Sequence, residues 1–162
     1  MELKELMEGF AAATGLEGLE PDDGGAYGLQ IDGMSVTVCE ADDAHVALLA
    51  AVGEPPPDAV AGRERLYRTL LESAHLGRGT AGASFSIDEA TGEIFLTRLE
   101  SAAALDPEGF RRLLGDFANA LAEWRQIVAD FRPLAGQVDE DEREAAEESR
   151  AAGMGAEGFL RV

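Results

Sequence analysis

The stretch Tyr27–Val52, YGLQIDGMSVTVCEADDAHVALLAAV, decides the fold of this 162-residue chain. In its first part, apolar and polar residues alternate on both sides of Asp32-Gly33, which is a strong two-residue hairpin signal. A second turn is predicted at 40–44. The run His45–Val52 that follows is apolar at nearly every position, so either both of its faces are covered or one face waits for a partner. Three consecutive strands are therefore predicted.

A short amphipathic helix is predicted ahead of these strands, from Glu2 to about Thr14. Gly15 stands where a glycine commonly ends a helix. After a proline-rich break that no strand can cross, Asp58 is a suitable N-cap for a second helix that runs to about Leu76. Each of these helices has an apolar face that must pack on something, since an isolated helix of this length is only marginally stable.

Two more strands and a last helix complete the predicted domain. The strands are expected at 83–87 and 94–99, joined by a hairpin that ends in a glycine. Asp106 is a good N-cap and Pro107 a good first helical residue, and an apolar stripe continues from there to Phe131. The order is α-β-β-β-α-β-β-α. Because all the tight strand pairs are hairpins, we expect an α+β fold with a largely antiparallel five-stranded sheet and three helices.

The composition changes after this helix, so the domain is placed at 1–134 and an acidic, flexible or partly helical C-terminal tail at 135–162. The tail holds eight acidic and three basic residues, a net charge of −5. The body therefore carries −14 of the chain's formal charge of −19. Charge of one sign keeps such a body soluble and limits its self-association.

The same charge excludes several classes of function. With 32 acidic and 13 basic residues, the chain repels phosphate backbones and anionic lipid surfaces, so nucleic-acid binding is not expected. No apolar run approaches the length that crosses a bilayer, so no stable membrane insertion is expected, and no secretory signal is visible. A single cysteine excludes an internal disulfide framework. A cytoplasmic protein is the expectation.

Motifs that could carry chemistry are weak. The glycines at 77–82 match G-x-G-x-x-G, but a helix precedes them and a strand follows, the reverse of a dinucleotide site, so a flexible connector is expected. Cys39 lies six residues from His45, and a dyad is possible on spacing alone, although a structural cysteine is the common case. His45 and His75 form no metal-binding pair. We expect no enzyme activity, no cofactor and no metal; a small hydrolase using Cys39 or an acidic pair stays open as a third interpretation.

Two of the predicted strands, His45–Val52 and Ile94–Leu99, carry apolar residues that point to both faces of the sheet. A five-stranded sheet has two faces, and three helices of these lengths need not cover both. We therefore expect leftover apolar surface that holds a partner.

Read together, these elements resemble the class I type III secretion chaperones, the family of the Tir chaperone. The resemblance covers roughly residues 3–132. Its most specific part is 66–100, LYRTLLESAHLGRGTAGASFSIDEATGEIFLTRLE, which is similar to the family's second helix and last two strands. LKELMEGFAAATGLEGLE, YGLQIDGMSVTVCE, HVALLAAVGEPPP and LDPEGFRRLLGDFANALAEWR are similar to its first helix, first hairpin, third strand and last helix. His75 stands where the family often has asparagine.

The resemblance implies a homodimer without catalytic activity that binds the N-terminal segment of a secreted effector protein and keeps it soluble and secretion-competent. The effector would lie extended, partly adding a strand to the sheet and partly filling apolar grooves. Matched positions imply an effector-binding set of Leu3, Leu6, Met7, Phe10, Leu29, Val36, Val38 and Leu49. They imply a dimer interface of Leu66, Tyr67, Leu70, Leu71, Phe85 and Ile87. Because the sheet faces are not fixed by the sequence, each of these residues can instead be core. A regulatory or scaffold module of the same fold is the alternative function.

Overall fold

A computed structural model describes residues 2–56 and 60–131 of the chain. The elements follow the predicted order: α1 Leu3–Thr14, β1 Tyr27–Ile31, β2 Met34–Asp42, β3 His45–Gly53, α2 Val60–Ser73, β4 Ser84–Ile87, β5 Ile94–Ser101 and α3 Pro107–Asp130. Short 3-10 turns at His75–Gly77 and Ala102–Ala104 follow α2 and β5. The α+β prediction with three helices is confirmed.

The five strands form one sheet in the order β1-β2-β3-β5-β4, and every neighbouring pair is antiparallel. The three predicted hairpins account for β1–β2, β2–β3 and β4–β5. The remaining pair, β3 with β5, places β5 inside the sheet and leaves the short β4 at the edge. The predicted antiparallel five-stranded sheet is confirmed.

Two helix ends follow directly from the local sequence. Gly15 adopts the left-handed conformation, with φ of 71°, immediately after α1. At the start of α3, the Gly109 backbone N–H donates to Asp106 Oδ1 at 2.6 Å, and Pro107 fills the first turn. Both ends use the residues that the sequence analysis assigned to them. The predicted N-cap Asp58 and the tail at 135–162 lie outside the described residues, so the division of the chain at 134 stays a prediction.

Helices α1 and α3 pack on one face of the sheet and form a single core with it. Phe10 of α1 and Phe110 of α3 meet edge to face, with ring centroids 5.1 Å apart. We call this side the packed face. Its most deeply buried strand residues are Val36, Val38, Val46, Leu48, Ile94 and Leu96. No described helix is long and apolar enough to cross a membrane.

Helix α2 ends three residues earlier than the sequence suggests. The Gly79 backbone N–H donates to the Ser73 carbonyl at 3.1 Å, and Leu76 adopts a left-handed conformation with φ of 57°. A leucine is unfavourable there, so local propensity gave no sign of this turn. Strand β2 also differs, because it continues through a bulge between Glu40 and Asp42 beyond the predicted turn at 40–44.

The glycine motif at 77–82 joins α2 to β4 and is held by bonds to the body. The Trp124 indole N–H donates to the Gly79 carbonyl at 2.8 Å, and the Arg98 guanidinium donates to the Ala81 carbonyl. A Cβ on Gly77 would lie 2.7 Å from Gly82 Cα, so glycine is needed for close packing. The motif is a connector, as expected, but a packed one, and its glycines meet protein atoms.

Candidate functional site

The second face of the sheet consists of the strand residues that alternate with the packed ones. Its continuous rung crosses all five strands, because Gly28 pairs with Thr37, Thr37 with Leu49, Leu49 with Thr97 and Thr97 with Ser84. We call this side the open face. Its other members are Gln30, Ser35, Cys39, Ala47, Ala51, Ser86, Phe95 and Leu99. Most of these residues are exposed or half-buried.

The centre of the open face is apolar and ridged. On β3 and β5 a large residue stands beside a small one in each cross-strand pair: Leu99 beside Ala47, Phe95 beside Ala51. Leu49 projects between them on β3, beside Thr97. Leu99 is 59% exposed, whereas Leu49 and Phe95 are half-buried. The large side chains therefore stand beside smaller ones across the two strands, and apolar side chains from outside can pack against them.

None of the strand positions named as the open face is charged, although 28% of the chain's residues are. Ionic groups lie at its margin: His45, two residues before Ala47 on β3, contacts Asp42 Oδ1 through Nδ1 at 2.8 Å, and the charge of Asp22 acts on Cys39. A partner that covers only the positions named here buries no ionic side chain among them, so desolvation opposes its binding only weakly.

Cys39 lies on this face, opposite the side of Val36 and Val38, as the strand alternation predicts. Burial, with a smaller contribution from the charge of Asp22, raises the pKa of the Cys39 thiol. A catalytic cysteine needs the opposite shift, toward the thiolate. The His45 ring is instead engaged by Asp42. The Cys39–His45 dyad thus gains no support from the geometry. The described residues also contain no group of three or more side chains that could hold a metal ion.

The residues implied as effector contacts lie mostly in the core of the protomer. Leu49 alone among them belongs to the open face, and it is half-buried. The other seven are buried: Leu3, Leu6, Met7, Phe10, Leu29, Val36 and Val38. Their side chains form the packed core between α1, α3 and the sheet, which is the core alternative that the sequence left open. As effector contacts they stay a prediction.

The implied dimer residues divide into two groups. Leu66 and Leu70 are buried within the protomer. Tyr67 is half-buried, as is Phe85, whose ring meets Trp124 edge to face at 5.0 Å. Only Leu71, at 69% exposed, and Ile87, at 48%, present most of their surface outward. As a dimer interface the set stays a prediction.

Sequence reasoning missed two residues of the open face, Phe95 and Leu99. The signal was present, since the strand at 94–99 carries apolar residues at both parities. What the sequence lacked was the pairing of β5 with β3, which places these residues beside Leu49. A strand predicted only as the partner of β4 gives no reason to join them to the first hairpin.

Comparisons with known proteins agree with this architecture. The model of the Tir chaperone protein (CesT) family matches residues 5–125. The ExsC–ExsE complex contains a chain 26% identical to this one, with a TM-score of 0.63, covering 84% of this chain and 100% of that one. The HopA1–SchA chaperone–effector complex matches at 21% identity and a TM-score of 0.60, covering 76% and 92%.

A third similar structure is the Yersinia pestis type III secretion chaperone SycH with a fragment of YscM2. It is 16% identical, with a TM-score of 0.59, and covers 74% of this chain and 97% of that one. A search of curated protein sequences found no match. The family model spans most of the domain: it covers all five strands, all of α2 and most of α1 and α3. The chain belongs to the Tir chaperone protein (CesT) family.

Proposed function

We propose that this chaperone binds the amino-terminal segment of a secreted effector on the open face of its sheet and keeps that segment soluble for type III secretion. The family is a chaperone family, and the similar HopA1–SchA structure is a chaperone–effector complex. These similarities support a secreted effector protein as the partner. The place of binding rests on the geometry of this chain.

One observation carries the proposal. A sheet face with no charged residue on its central rows, and with Leu99 59% exposed, persists in a chain of net charge −19. A contiguous apolar surface on a soluble protein marks an interaction site more often than an accident of composition. The surrounding negative charge keeps the protein in solution and favours the approach of basic segments.

The face and the edges of the sheet suit different parts of an effector. Side chains on the face bind through apolar contact, so they suit an amphipathic segment whose apolar residues sit beside Leu99, Leu49 and Phe95. The outer edges of β1 and β4 offer backbone groups to which an extended segment can add a strand. Both modes hold an effector without folding it, as secretion requires.

The proposal assigns no catalytic step and no cofactor to this protein. The raised pKa of the Cys39 thiol supports this, because it keeps the sulfur protonated near neutral pH. The protein would act in the cytoplasm, where the effector is made and awaits export. A homodimer is the assembly that we propose for it.

The test is a binding measurement with candidate effectors cut to about their first hundred residues, which keeps the amino-terminal segment that the proposal assigns to this face. Leu99→Asp places a charge at the centre of the open face, where the bound effector would have to desolvate it. We expect at least about a tenfold loss of affinity. Leu16→Asp is the matched control, since Leu16 is also exposed, at 48%, but lies in the loop after α1.

Cys39 provides a second readout without any substitution, because it is the chain's single cysteine and lies on the same face. A bound effector should slow its alkylation by a neutral maleimide. Unchanged affinity in Leu99→Asp, together with unprotected Cys39 in the complex, would place the effector elsewhere and refute the proposed site.

A further inference from the structure

Strand β1 lies at one edge of the sheet and has backbone groups that point away from its partner β2. The two-residue turn that joins β1 to β2 makes Ile31 and Met34 a hydrogen-bonded pair. Bonded pairs alternate along an antiparallel ladder. The outward backbone groups therefore belong to Gly28 and Gln30 and, just ahead of the strand, to Ala26.

Asp22 closes the first of these three positions. Its backbone N–H donates to the Ala26 carbonyl at 2.8 Å, and its Oδ1 accepts the Ala26 backbone N–H at 2.9 Å. Oδ1 also accepts the Gly24 N–H, which holds the loop in place. Within the described residues, no hydrogen bond reaches the outward groups of Gly28 and Gln30. An added strand therefore finds its first free position on β1 at Gly28.

Nothing in the local structure requires a glycine at position 28. The φ of Gly28 is not positive, and a Cβ built on it would have no atom within 4 Å. Other glycines have one of these two reasons: Gly33 has a φ of 78°, and a Cβ on Gly9 would lie 2.7 Å from Pro107 Cγ. Glycine weakens a strand, because it has no side chain to pack. Where it stands inside one, it often marks a place that another chain or a ligand approaches closely.

The missing side chain leaves a gap at the end of the open face, which we call the β1 notch. Gly28 is exposed and begins the rung that continues through Thr37 to Leu49. Thr37 is exposed as well, so a side chain laid over Gly28 from outside the sheet would contact it. Large side chains on a neighbouring strand, aromatic ones above all, recover the packing that an edge glycine lacks. The β1 notch suits one such side chain.

The other outer edge, that of β4, has no such gap. At its start, Thr80 Oγ1 donates to the Ala83 carbonyl and the Thr80 carbonyl accepts the Ala83 N–H, so this edge is also closed at its first position. Strand β4 contains no glycine, and the Phe85 ring packs on Trp124 of the same chain. An added strand would find backbone groups there but no unfilled place for a large side chain.

The surroundings of the β1 notch are acidic. Asp22 lies at one end of the free edge and Asp32 lies in the turn at the other end, and both are exposed. Residues 5–56 contain no lysine and no arginine. Basic residues on either side of the large one would therefore be attracted to this edge.

We infer that the effector segment adds to the outer edge of β1, with its pairing starting at Gly28, and is selected by one large apolar or aromatic side chain that fills the β1 notch. This inference rests on the proposed function and names the edge, the register and the side chain that the effector supplies. Gly28 is the specificity-determining residue. Asp22 is a positioning residue, because it closes the edge ahead of Gly28.

The probe is an effector fragment of about one hundred residues that binds the wild type in the test above. Gly28→Val fills the notch and should keep or raise the melting temperature, because valine favours strands and has free space there. We expect it to weaken binding of the fragment about tenfold. Gly115→Ala on α3 is the matched control, since a Cβ there also has no atom within 4 Å. It should raise the melting temperature and leave the affinity unchanged.

A second variant tests the backbone contact. Gln30→Pro removes the outward N–H of Gln30, and proline is tolerated at an edge position whose N–H faces solvent. We expect about a tenfold loss of affinity. Amide exchange of the wild type gives the same information without a substitution. The Gly28 and Gln30 amides should exchange rapidly in the free protein and become protected in the complex, whereas the Ala26 amide should be protected in both.

The sharpest arm replaces the large apolar residues of the fragment by alanine, one at a time. One replacement should weaken binding to the wild type about tenfold but binding to Gly28→Val by less than about threefold, because the valine already fills the notch. That coupling identifies the side chain that occupies the β1 notch.

Wild-type affinity in both Gly28→Val and Gln30→Pro, or Gly28 and Gln30 amides that stay unprotected in the complex, would overturn the inference. If Gln30→Pro fails to fold, Gly28→Val and the amide exchange of the wild type decide. The two proposals fail separately. Loss of the fragment in Leu99→Asp alone leaves the open-face site standing without the notch. Loss in Gly28→Val alone, with Cys39 unprotected, places the segment at β1 without the open-face site.

Discussion

The two faces of the sheet begin from similar strands and end with different exposure. On β3, Leu48 and Leu49 are chemically identical neighbours, yet Leu48 is 0% exposed and Leu49 is half-buried. The first lies under α1 and α3, and the second lies on the open face. Apolar sequence therefore does not distinguish a residue that stabilises the fold from one that can bind a partner. The distinction depends on whether the rest of the chain packs against that residue.

The two faces also differ in where charged side chains lie. The packed face ends near Arg98 and Glu100, whose side chains pair at 3.0 Å and are partly buried. These two charged side chains can be partly buried there because each is paired with the other, and the Arg98 guanidinium also donates to the Ala81 carbonyl. The central rows of the open face, from Cys39 and Leu99 to Ala51 and Phe95, contain no charged residue. A binding surface that must be covered and uncovered repeatedly is better served by neutral side chains, because no desolvation penalty is incurred on each occasion.

The largest expected effect is the difference in lost stability between alanine variants of Leu48 and Leu49. Leu48→Ala should lower the free energy of unfolding by about 3 kcal/mol, because it leaves a cavity in the packed core. Leu49→Ala should cost less than about 1 kcal/mol, since its side chain is already partly in water. Urea denaturation of the two variants measures the difference. Equal losses would mean that both faces are packed alike and would remove the basis for the comparison.

An intermediate effect concerns the helix that covers the packed face. Asp106→Ala removes the acceptor for the Gly109 N–H at the start of α3 and should cost about 1 kcal/mol. Glu108→Ala in the same turn is the control. It removes an exposed ion pair with Arg111, and we expect a change within about 0.5 kcal/mol. If the control variant loses as much stability, capping is not the reason for the effect. Alkylation of Cys39 should remain as in the wild type in both variants, because the open face does not depend on this cap.

The smallest effect lies outside both faces, in the β4–β5 turn. The backbone N–H of Thr91, then its hydroxyl, hold the pKa of the Asp88 carboxyl below its ordinary value. A lowered pKa in the folded state means that Asp88 contributes stability above its unfolded pKa, and that this contribution is lost as pH falls through the folded pKa.

Asp88→Asn should therefore flatten the fall of the melting temperature on acidification from about pH 6 to about pH 3. Glu89→Gln, the next residue in the turn, controls for the loss of one negative charge. Identical acid profiles for wild type and Asp88→Asn would show that the turn adds no pH-dependent stability.

Much of the fold could be predicted because its signals are local. Asp32-Gly33 specified a hairpin, Asp106-Pro107 the start of a helix, and Gly15 the end of one, since each position needs only its own backbone conformation or nearest hydrogen bonds. The predicted end of α2 was wrong because its signal is not local. It depends on a left-handed Leu76 stabilised by the packing of a glycine loop against Trp124, a contact between residues far apart in the chain.

The candidate site was predicted only in part. The sequence indicated that some apolar surface would be left over, and it placed apolar residues of both parities on β3 and β5. It could not say that β5 inserts beside β3, and so it gave no reason to join Leu99 to Leu49. The effector contacts that the resemblance implies, such as Val36 and Phe10, are buried in the protomer and stay a prediction.

The sequence by itself determined the order of elements, the antiparallel hairpins, the acidity and the family resemblance, because periodicity, turn residues and charge act over a few neighbours. The tertiary structure alone decided which of two apolar faces becomes core. That choice depends on where α1 and α3 come to rest, and a chain with apolar residues on both sides of a strand carries no local preference between them. The helices bury one face, and the other stays available for a partner.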